Sequence, residues 1–476
     1  MTLALLFSFV TSLAAPVDTS IHTKIEAQAI ISDAGATPFW LRSLQYGSVP
    51  KENPGLILRA WNGKAYNLKK KYDWKYEVEA TGWTGKLNDF WLTQAYLSGR
   101  RGKWELWAGR RKEVYGVGDT TMTGGFFAWS GNALPMPKIQ LGTRDYINFA
   151  KGWLGVHMTF SHGWFDNQGP TIDAYLHQKT LYGRIGKPTS MFSLFGGINH
   201  NVSWGGEAKI KKGGAFDFYP SNFSTYFYVV TAIKDRTILA TDPKSSWDDL
   251  GYQFGNHLGT VDLAIKIQTK DFESLLYRQS MYETGRIVSL AVINDGLTGF
   301  SIKLKKNFIL NKIGLEYLYT GNQGNYISGL AQFFGLKDPH LSEVENYLNN
   351  GGRGSWKYWN MSLGTPIFLL DRDLLTGGGN NFTFNAIKSL HLNVSGVIAD
   401  GYIWNARYST SYYTNPRSNI LPRLEPIDFR GQQAFSISVE KKISDRLLGN
   451  VQLGYDKGKM IQNSVGLSMR AAYLLR

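Results

Sequence analysis

Four stretches of this chain alternate apolar and polar side chains with a period of two, and that pattern limits the possible folds more than any other feature. In Thr260–Gln268, Val261, Leu263, Ile265 and Ile267 fall on one face, with Asp262, Lys266 and Gln268 on the other. Trp74, Tyr76, Val78 and Ala80 oppose Lys75, Glu77, Glu79 and Thr81 in the same way. So do Ile313, Leu315, Tyr317 and Tyr319 against Glu316 and Thr320. Near the end of the chain, Val465, Leu467, Met469, Ala471, Tyr473 and Leu475 oppose Ser464, Ser468 and Arg470. Each run reads as a strand with one apolar side. A soluble β-sandwich alternates likewise, so length must decide. Runs of about ten residues between Gly/Asn/Asp turns suit strands that cross a bilayer at a tilt of about 45°. At roughly 25 residues per strand and turn, the chain supplies about 16 to 20 strands, with an even number expected.

Composition agrees with that reading. The 476 residues include 52 glycines and 14% aromatics, and no Pro/Ser-rich or charged linker divides them, so one large domain is expected. The mean hydropathy of −0.25 resembles a soluble protein's. A membrane barrel averages out this way because lipid-facing and lumen-facing residues cancel in any window. Residues 1–15, MTLALLFSFVTSLAA, read as a secretory signal peptide, an apolar core followed by small residues. Residues 16–70 are expected to hold a first strand and a small periplasmic or plug element, with prolines at 38, 50 and 54 and weak helical stretches. Residues 71–476 are expected to form the barrel and its structured loops. The absence of cysteine excludes disulfides and thiolate chemistry. Lys plus Arg number 52 against 37 acidic residues, a net charge of +15. For an exported chain this favours acidic polysaccharide or lipid headgroups over nucleic acid.

The catalytic motifs fail on spacing. Gly183-Arg-Ile-Gly-Lys187-Pro188 is too short for a phosphate loop and has proline where a hydroxyl belongs, and Gly116-Val-Gly118-Asp119 is only two glycines of a dinucleotide fingerprint. Both read as turns. Asp371-Arg-Asp373 has Leu375 where a calcium loop needs an oxygen. Histidines 157, 162, 177 and 200 are the one cluster that could serve metal or nucleophilic chemistry, but His157 and His162 stand on opposite faces of a strand. They are expected as lumen or loop residues bonded to neighbours. Ser161 with His162, or His200 with Ser203, keeps a rim hydrolase as a remote alternative.

Aromatic and basic residues interleaved on turn-like segments give the stronger signal. Trp faces cover the C–H face of a sugar while Arg and Lys bond its carboxylates. The candidates are Trp129 with Asn132, Trp204 near Lys209, Lys211 and Lys212, and Arg353 with Trp356, Lys357, Tyr358 and Trp359. Aromatic girdles and lumen charge ladders would account for the same residues in any membrane barrel. The last group lies in Leu336–Asn360, where Leu341 to Leu348 could form a short helix before an aromatic, basic tip. Loops of this length usually stand on the extracellular side.

Gly109 to Lys138 reads as a structured turn beside the wall. Its parts, GRRKEVYG, a Gly-Asp-Thr-Thr turn and WSGNALPMPKI, resemble the capsule-assembly Wzi family of outer-membrane proteins. Further pieces match that family in order. They are PFWLRSLQYG from Pro38, YLHQKTLYG from Tyr175, GGINHN from Gly196 with Trp204-Gly-Gly206, GYQFGNHLG from Gly251, and Leu276-Tyr-Arg-Gln279 with Tyr282-Glu283. The resemblance implies an all-β, transmembrane antiparallel barrel of about 18 strands with a small N-terminal helical or plug element and loops that occlude the pore. It also implies a non-catalytic lectin that holds capsular polysaccharide. The expectation is thus a monomer in the outer membrane of a Gram-negative bacterium, contacting outer-membrane lipid and acidic surface polysaccharide, with no cofactor, metal or nucleic acid. A channel for anionic solutes and a partner in an envelope assembly complex remain as alternatives.

Overall fold

The computed structural model describes residues 21–52, 54–85, 88–211, 217–233, 254–283, 287, 290, 292–306, 309–324, 327–336, 345–350, 352–398, 401–416 and 429–475. The signal-peptide reading, Lys212 and Leu341 to Val344 lie outside them.

Eighteen wall strands follow one another in sequence order. They are β1 (Ile21–Ser32), β2 (Pro54–Lys64), β3 (Tyr72–Gly85), β4 (Asp89–Arg101), β5 (Trp104–Arg110), β6 (Pro137–Thr143, resumed at Ile147–Phe149), β7 (Leu154–Trp164), β8 (Tyr175–Ile185) and β9 (Phe192–Trp204). Then come β10 (Asn256–Gln268), β11 (Phe272–Tyr282), β12 (Gly296–Leu304), β13 (Lys312–Tyr319), β14 (Ala386–Ile398), β15 (Tyr402–Thr414), β16 (Arg430–Lys442), β17 (Leu447–Gly458) and β18 (Ser464–Leu474). Each pairs antiparallel with its neighbours, and β1 pairs with β18 from Lys24↔Leu474 to Ser32↔Gly466, which closes the barrel. Closure leaves no unpaired edge, the condition a sheet must meet to cross a bilayer.

The period-two reading matches the wall. Leu263 and Ile265, Trp74 and Val78, Leu315 and Tyr317, and Val465, Leu467 and Met469 face outward and are exposed, whereas Asp262, Glu79, Glu316 and Ser468 point inward and are buried. Exposed outward aromatics gather toward both ends of the wall. Tyr72, Trp74, Trp104 and Trp153 stand at one end, and Phe90, Trp164, Tyr412 and Tyr455 at the other. An apolar band between two aromatic belts is the outer surface of a barrel in a bilayer.

The two ends differ. Short turns such as Gly102–Lys103 and Ile443–Arg446 lie at the end that also carries Ile21 and Leu475, and the long connections lie at the other. Three of the long connections turn inward, 33–53, 111–136 and 345–385, and build a second core inside the barrel. That core contains Trp40, Phe126, Phe127, Trp129, Tyr347, Trp356 and Phe368. The 33–52 segment therefore enters the lumen from the long-loop end and not the short-turn end, with one short helix, α1 (Phe39–Arg42). Glu345 to Leu348 are not helical.

Wall carboxylates hold these segments by their backbone. Phe39 N–H donates to Asp456 Oδ2 (2.7 Å), Val117 N–H to Asp262 Oδ2 (2.9 Å) and Gly124 N–H to Glu316 Oε2 (2.7 Å). Loop amides with no strand partner thus find charge-assisted acceptors on the sheet. At its deepest point the 111–136 loop pairs Asp119 with Lys312 (3.0 Å) at the first residue of β13. Where 364 crosses 127 only glycine fits, because a Cβ on Gly364 would lie 1.8 Å from the Phe127 carbonyl oxygen.

Candidate functional site

The inner segments fill the long-loop half of the lumen, and the 111–136 loop reaches on toward the short-turn end at Lys312. Trp356 Nε1–H donates to the Ala128 carbonyl (2.9 Å), Ser130 Oγ–H to that of Gly364 (2.6 Å) and Tyr413 O–H to that of Ile367 (3.0 Å), so loop, hairpin and wall interlock. A cavity between Arg42, Lys51, Asn132, Ser362 and Asp373 measures about 30 Å³, and another beside Tyr46 and Trp129 about 10 Å³. Each has room for about one water. In the short-turn half the inward side chains of Lys24, Lys75, Glu77, Arg407, Glu440 and Arg470 stay partly exposed. That half forms a vestibule of mixed charge below the inner core.

The nine polysaccharide candidates separate into three settings. Trp129, Arg353, Trp356, Lys357 and Tyr358 are buried in or beside the inner core. Trp129 meets Trp356 edge-on at 6.4 Å with the Lys138 ammonium 4.7 Å from its ring, so neither indole offers a free face to a sugar. Asn132 is structural as placed. It accepts the Leu44 N–H (3.3 Å) and donates to the Ser362 carbonyl (3.2 Å), tying the three inner segments together. Arg353 lies over Tyr219 at 3.9 Å and donates to the Gly205 carbonyl (2.8 Å), fixing one loop to another. Trp204 is buried on the outer side of the wall. Trp359 and Lys209 remain exposed.

Trp359 is held in an unusual way. Lys357–Tyr358 pairs with Met361–Ser362 as a hairpin whose two turn residues, Trp359 (φ 47°) and Asn360 (φ 57°), are both left-handed. Such a turn needs positive φ at both positions, which asparagine tolerates and a bulky residue resists. Asp166 accepts the Trp359 N–H, Lys357 Nζ donates to Asn360 Oδ1 (2.9 Å), and the indole meets Trp91 edge-on at 4.9 Å. The result is an aromatic ring, 37% exposed, at the barrel mouth. Cations lie near the hairpin that carries it. Burial lowers the pKa of Lys357 below the ordinary lysine value, and the charges of Arg372 and Lys209 add to that shift while Asp166 opposes it. Lys209 Nζ donates to the Asn167 carbonyl (3.1 Å), and Arg110 to Tyr358 Oη (3.2 Å). The sequence offered one clue to this geometry, the Trp-Asn pair between two short alternating runs.

Buried carboxylates anchor the segment that leads into the hairpin. Glu283 accepts the Leu348 N–H, its own N–H donates to Glu345 Oε2 (3.2 Å), and Asp295 accepts from Asn322 N–H (2.9 Å), Gln323 N–H (2.7 Å) and Tyr347 O–H (2.8 Å). Desolvation raises the Asp295 carboxyl to about 6 against those bonds, and desolvation followed by the Glu345 charge lifts Glu283 well above its ordinary value. A folded-state pKa above the unfolded one gives stability that is present in acid and lost as pH rises through the folded value. Amides 345–350, corrected for intrinsic exchange rates, should therefore be better protected at pH 5 than at pH 8 when hydrogen exchange is followed in the purified barrel. Asp295→Asn should reduce the difference, and an equal or reversed ratio would contradict the assignment.

Of the four histidines expected in the lumen or loops, three face outward and one faces the lumen. On β7 to β10 the outward parity that exposes Phe160, Leu181, Ile198 and Leu263 also carries His162, His177, His200 and His257. His157 has the opposite parity and faces the lumen beside Tyr146 and Tyr182. Ser161 and Ser203 point inward, so the sheet separates each from its neighbouring histidine and neither pair makes a rim nucleophile. His391, within the lumen, does bond Ser409 (2.8 Å), but it is buried beneath Gly124 and Trp40. Among the described residues no group of three His, Cys, Asp or Glu is arranged to hold a metal ion.

No family model matches the chain, and no curated protein matches it. Among solved structures it is similar over 94% of its length to 83% of Wzi from Escherichia coli, an outer-membrane protein involved in group 1 capsule assembly and described as a carbohydrate-binding β-barrel, with TM-score 0.60 and 14% identity. Acinetobacter baumannii OccAB2 (TM-score 0.46, 9% identity, 97% of this chain and 100% of that one) and Pseudomonas aeruginosa OccK5 (0.45, 10%, 97% and 99%) also overlap. The likeness to Wzi is one of fold. A closed 18-strand antiparallel barrel with an apolar outer band is an outer-membrane barrel.

Proposed function

We propose that this protein binds an acidic surface polysaccharide at the mouth of a plugged barrel and catalyses no reaction. Trp359 carries the reading. A bulky residue held left-handed persists only where its surroundings over-determine it, and such strain gathers at ligand sites. Its ring supplies a stacking face, and exposed Lys209 and Arg372 supply cations for carboxylates. The fold shared with a carbohydrate-binding barrel supports the same reading, and the filled upper lumen weighs against a channel.

Binding of host surface polysaccharide to the detergent-purified barrel should be saturable and should weaken with salt. Trp359→Ala should lower affinity about tenfold, or roughly 1.4 kcal/mol, with unfolding unchanged. In planar bilayers the wild-type barrel should be nearly silent. Saturable binding untouched by Trp359→Ala would move the site elsewhere. Steady conductance without binding would favour the anion channel, whose observation is the charged vestibule, and silence without binding would favour an envelope assembly partner.

A further inference from the structure

One patch of the outer wall is not apolar. His162, His177, Val202 and His257 lie side by side across β7 to β10, and Lys179 pairs with His200 in the next row. These are outward positions, yet His177 and His200 are buried. Their cover is a second helix, α2 (Phe223–Thr231), started by the Asn222 side chain accepting the Thr225 N–H (2.8 Å) and ended by left-handed Ala232. The Tyr226 ring sits 5.7 Å from His177 and 5.1 Å from Trp204, Val229 packs with Val202 and Phe254, and Lys179 Nζ donates to the Val230 carbonyl. All these partners are outward or in the adjoining loop, so α2 lies on the outside of the barrel. The His177 row stands four residues from exposed Leu181, about 9 Å up a strand tilted near 45°, toward the long-loop edge of the apolar band.

The face of α2 turned away from the wall is exposed and carries two phenylalanines beside Ser224. Phe223 and Phe227, one turn apart, are 87% and 55% exposed, and exposed Phe218 stands beside the Lys211 ammonium (4.5 Å). On β7, Phe160 and Trp164 are exposed on the same side of the wall. We propose that α2 is an in-plane membrane helix whose Phe223 and Phe227 enter the outer leaflet, with its inner face shielding the histidine–lysine patch from acyl chains. The occupant is lipid, because α2 lies on the outward side of the wall and its exposed Phe223 and Phe227 continue the apolar bilayer-facing surface of Phe160 and Trp164.

The chain has no cysteine, so single-site labelling is clean. Phe223→Cys and Phe227→Cys would carry a bimane fluorophore in proteoliposomes, with Leu181→Cys as the lipid-facing reference, Gln168→Cys as the water-facing one, and heat-modifiable gel migration confirming folding. Both helix labels should lose fluorescence to a lipid-borne spin-label quencher as Leu181→Cys does, and resist aqueous iodide. Iodide quenching equal to that of Gln168→Cys, without lipid quenching, would place the helix in water and overturn the proposal. Protection from both quenchers would overturn it in favour of a second copy or another protein.

Discussion

Trp356→Ala should destabilise the barrel by about 3 to 5 kcal/mol, the range for truncating a fully buried large aromatic. The indole is 1% exposed, donates to the Ala128 carbonyl (2.9 Å), and packs against Trp129 at 6.4 Å and Phe165 at 5.6 Å. Truncation leaves a void where the hairpin crosses the 126–130 loop and orphans a buried acceptor, and the two costs add. The void also lies in the layer that fills the upper lumen, so brief ion leaks should accompany the loss. Urea unfolding in detergent, with bilayer recordings beside it, tests both effects. An unfolding midpoint matching the wild type would mean that Trp356 is not a core residue. Only three positions away, Trp359→Ala should leave stability and conductance alone and change glycan affinity instead.

That contrast marks where sequence reading stops. The wall was legible because a strand writes its two faces into alternate residues, so Leu263 and Asp262 could be assigned without knowing their neighbours. The inner core follows no period. Trp356 and Trp129 have the chemistry of sugar platforms, and only the meeting of segments 228 residues apart turns them into packing. Asn132 and Arg353 changed meaning for the same reason. The histidines were half legible. Parity puts His157 and His162 on opposite faces, and extending it from Leu181 to His177 marks the latter as outward. Nothing in the local pattern says that a helix from residues 223–231 folds back over it. Composition does not distinguish Trp359 from Trp356, and the exposure of the former comes from its place in the left-handed Trp-Asn turn.

Lys138→Met should produce a loss of similar size by a different route. Lys138 is 1% exposed, pairs with Glu113 (2.7 Å), donates to Gln178 (2.7 Å), and rests against Trp129. Arg111 also reaches Glu113 (3.0 Å) and extends to Glu105 (2.7 Å), so the start of the 111–136 loop is joined to β5, β6 and β8 by one buried network. Methionine keeps most of the volume and removes the charge, which leaves Glu113 desolvated with a single cation. Breaking one side of a buried pair costs about 3 to 5 kcal/mol, mostly from the charge left behind. Lys138→Met combined with Glu113→Gln should therefore recover much of the loss, although each change alone removes an interaction. Because the pair is shielded from solvent, salt should leave the difference nearly unchanged, whereas glycan binding at the mouth should weaken with it. A single variant within about 0.5 kcal/mol of wild type would show that backbone tethers such as Val117 to Asp262 hold the loop without the network.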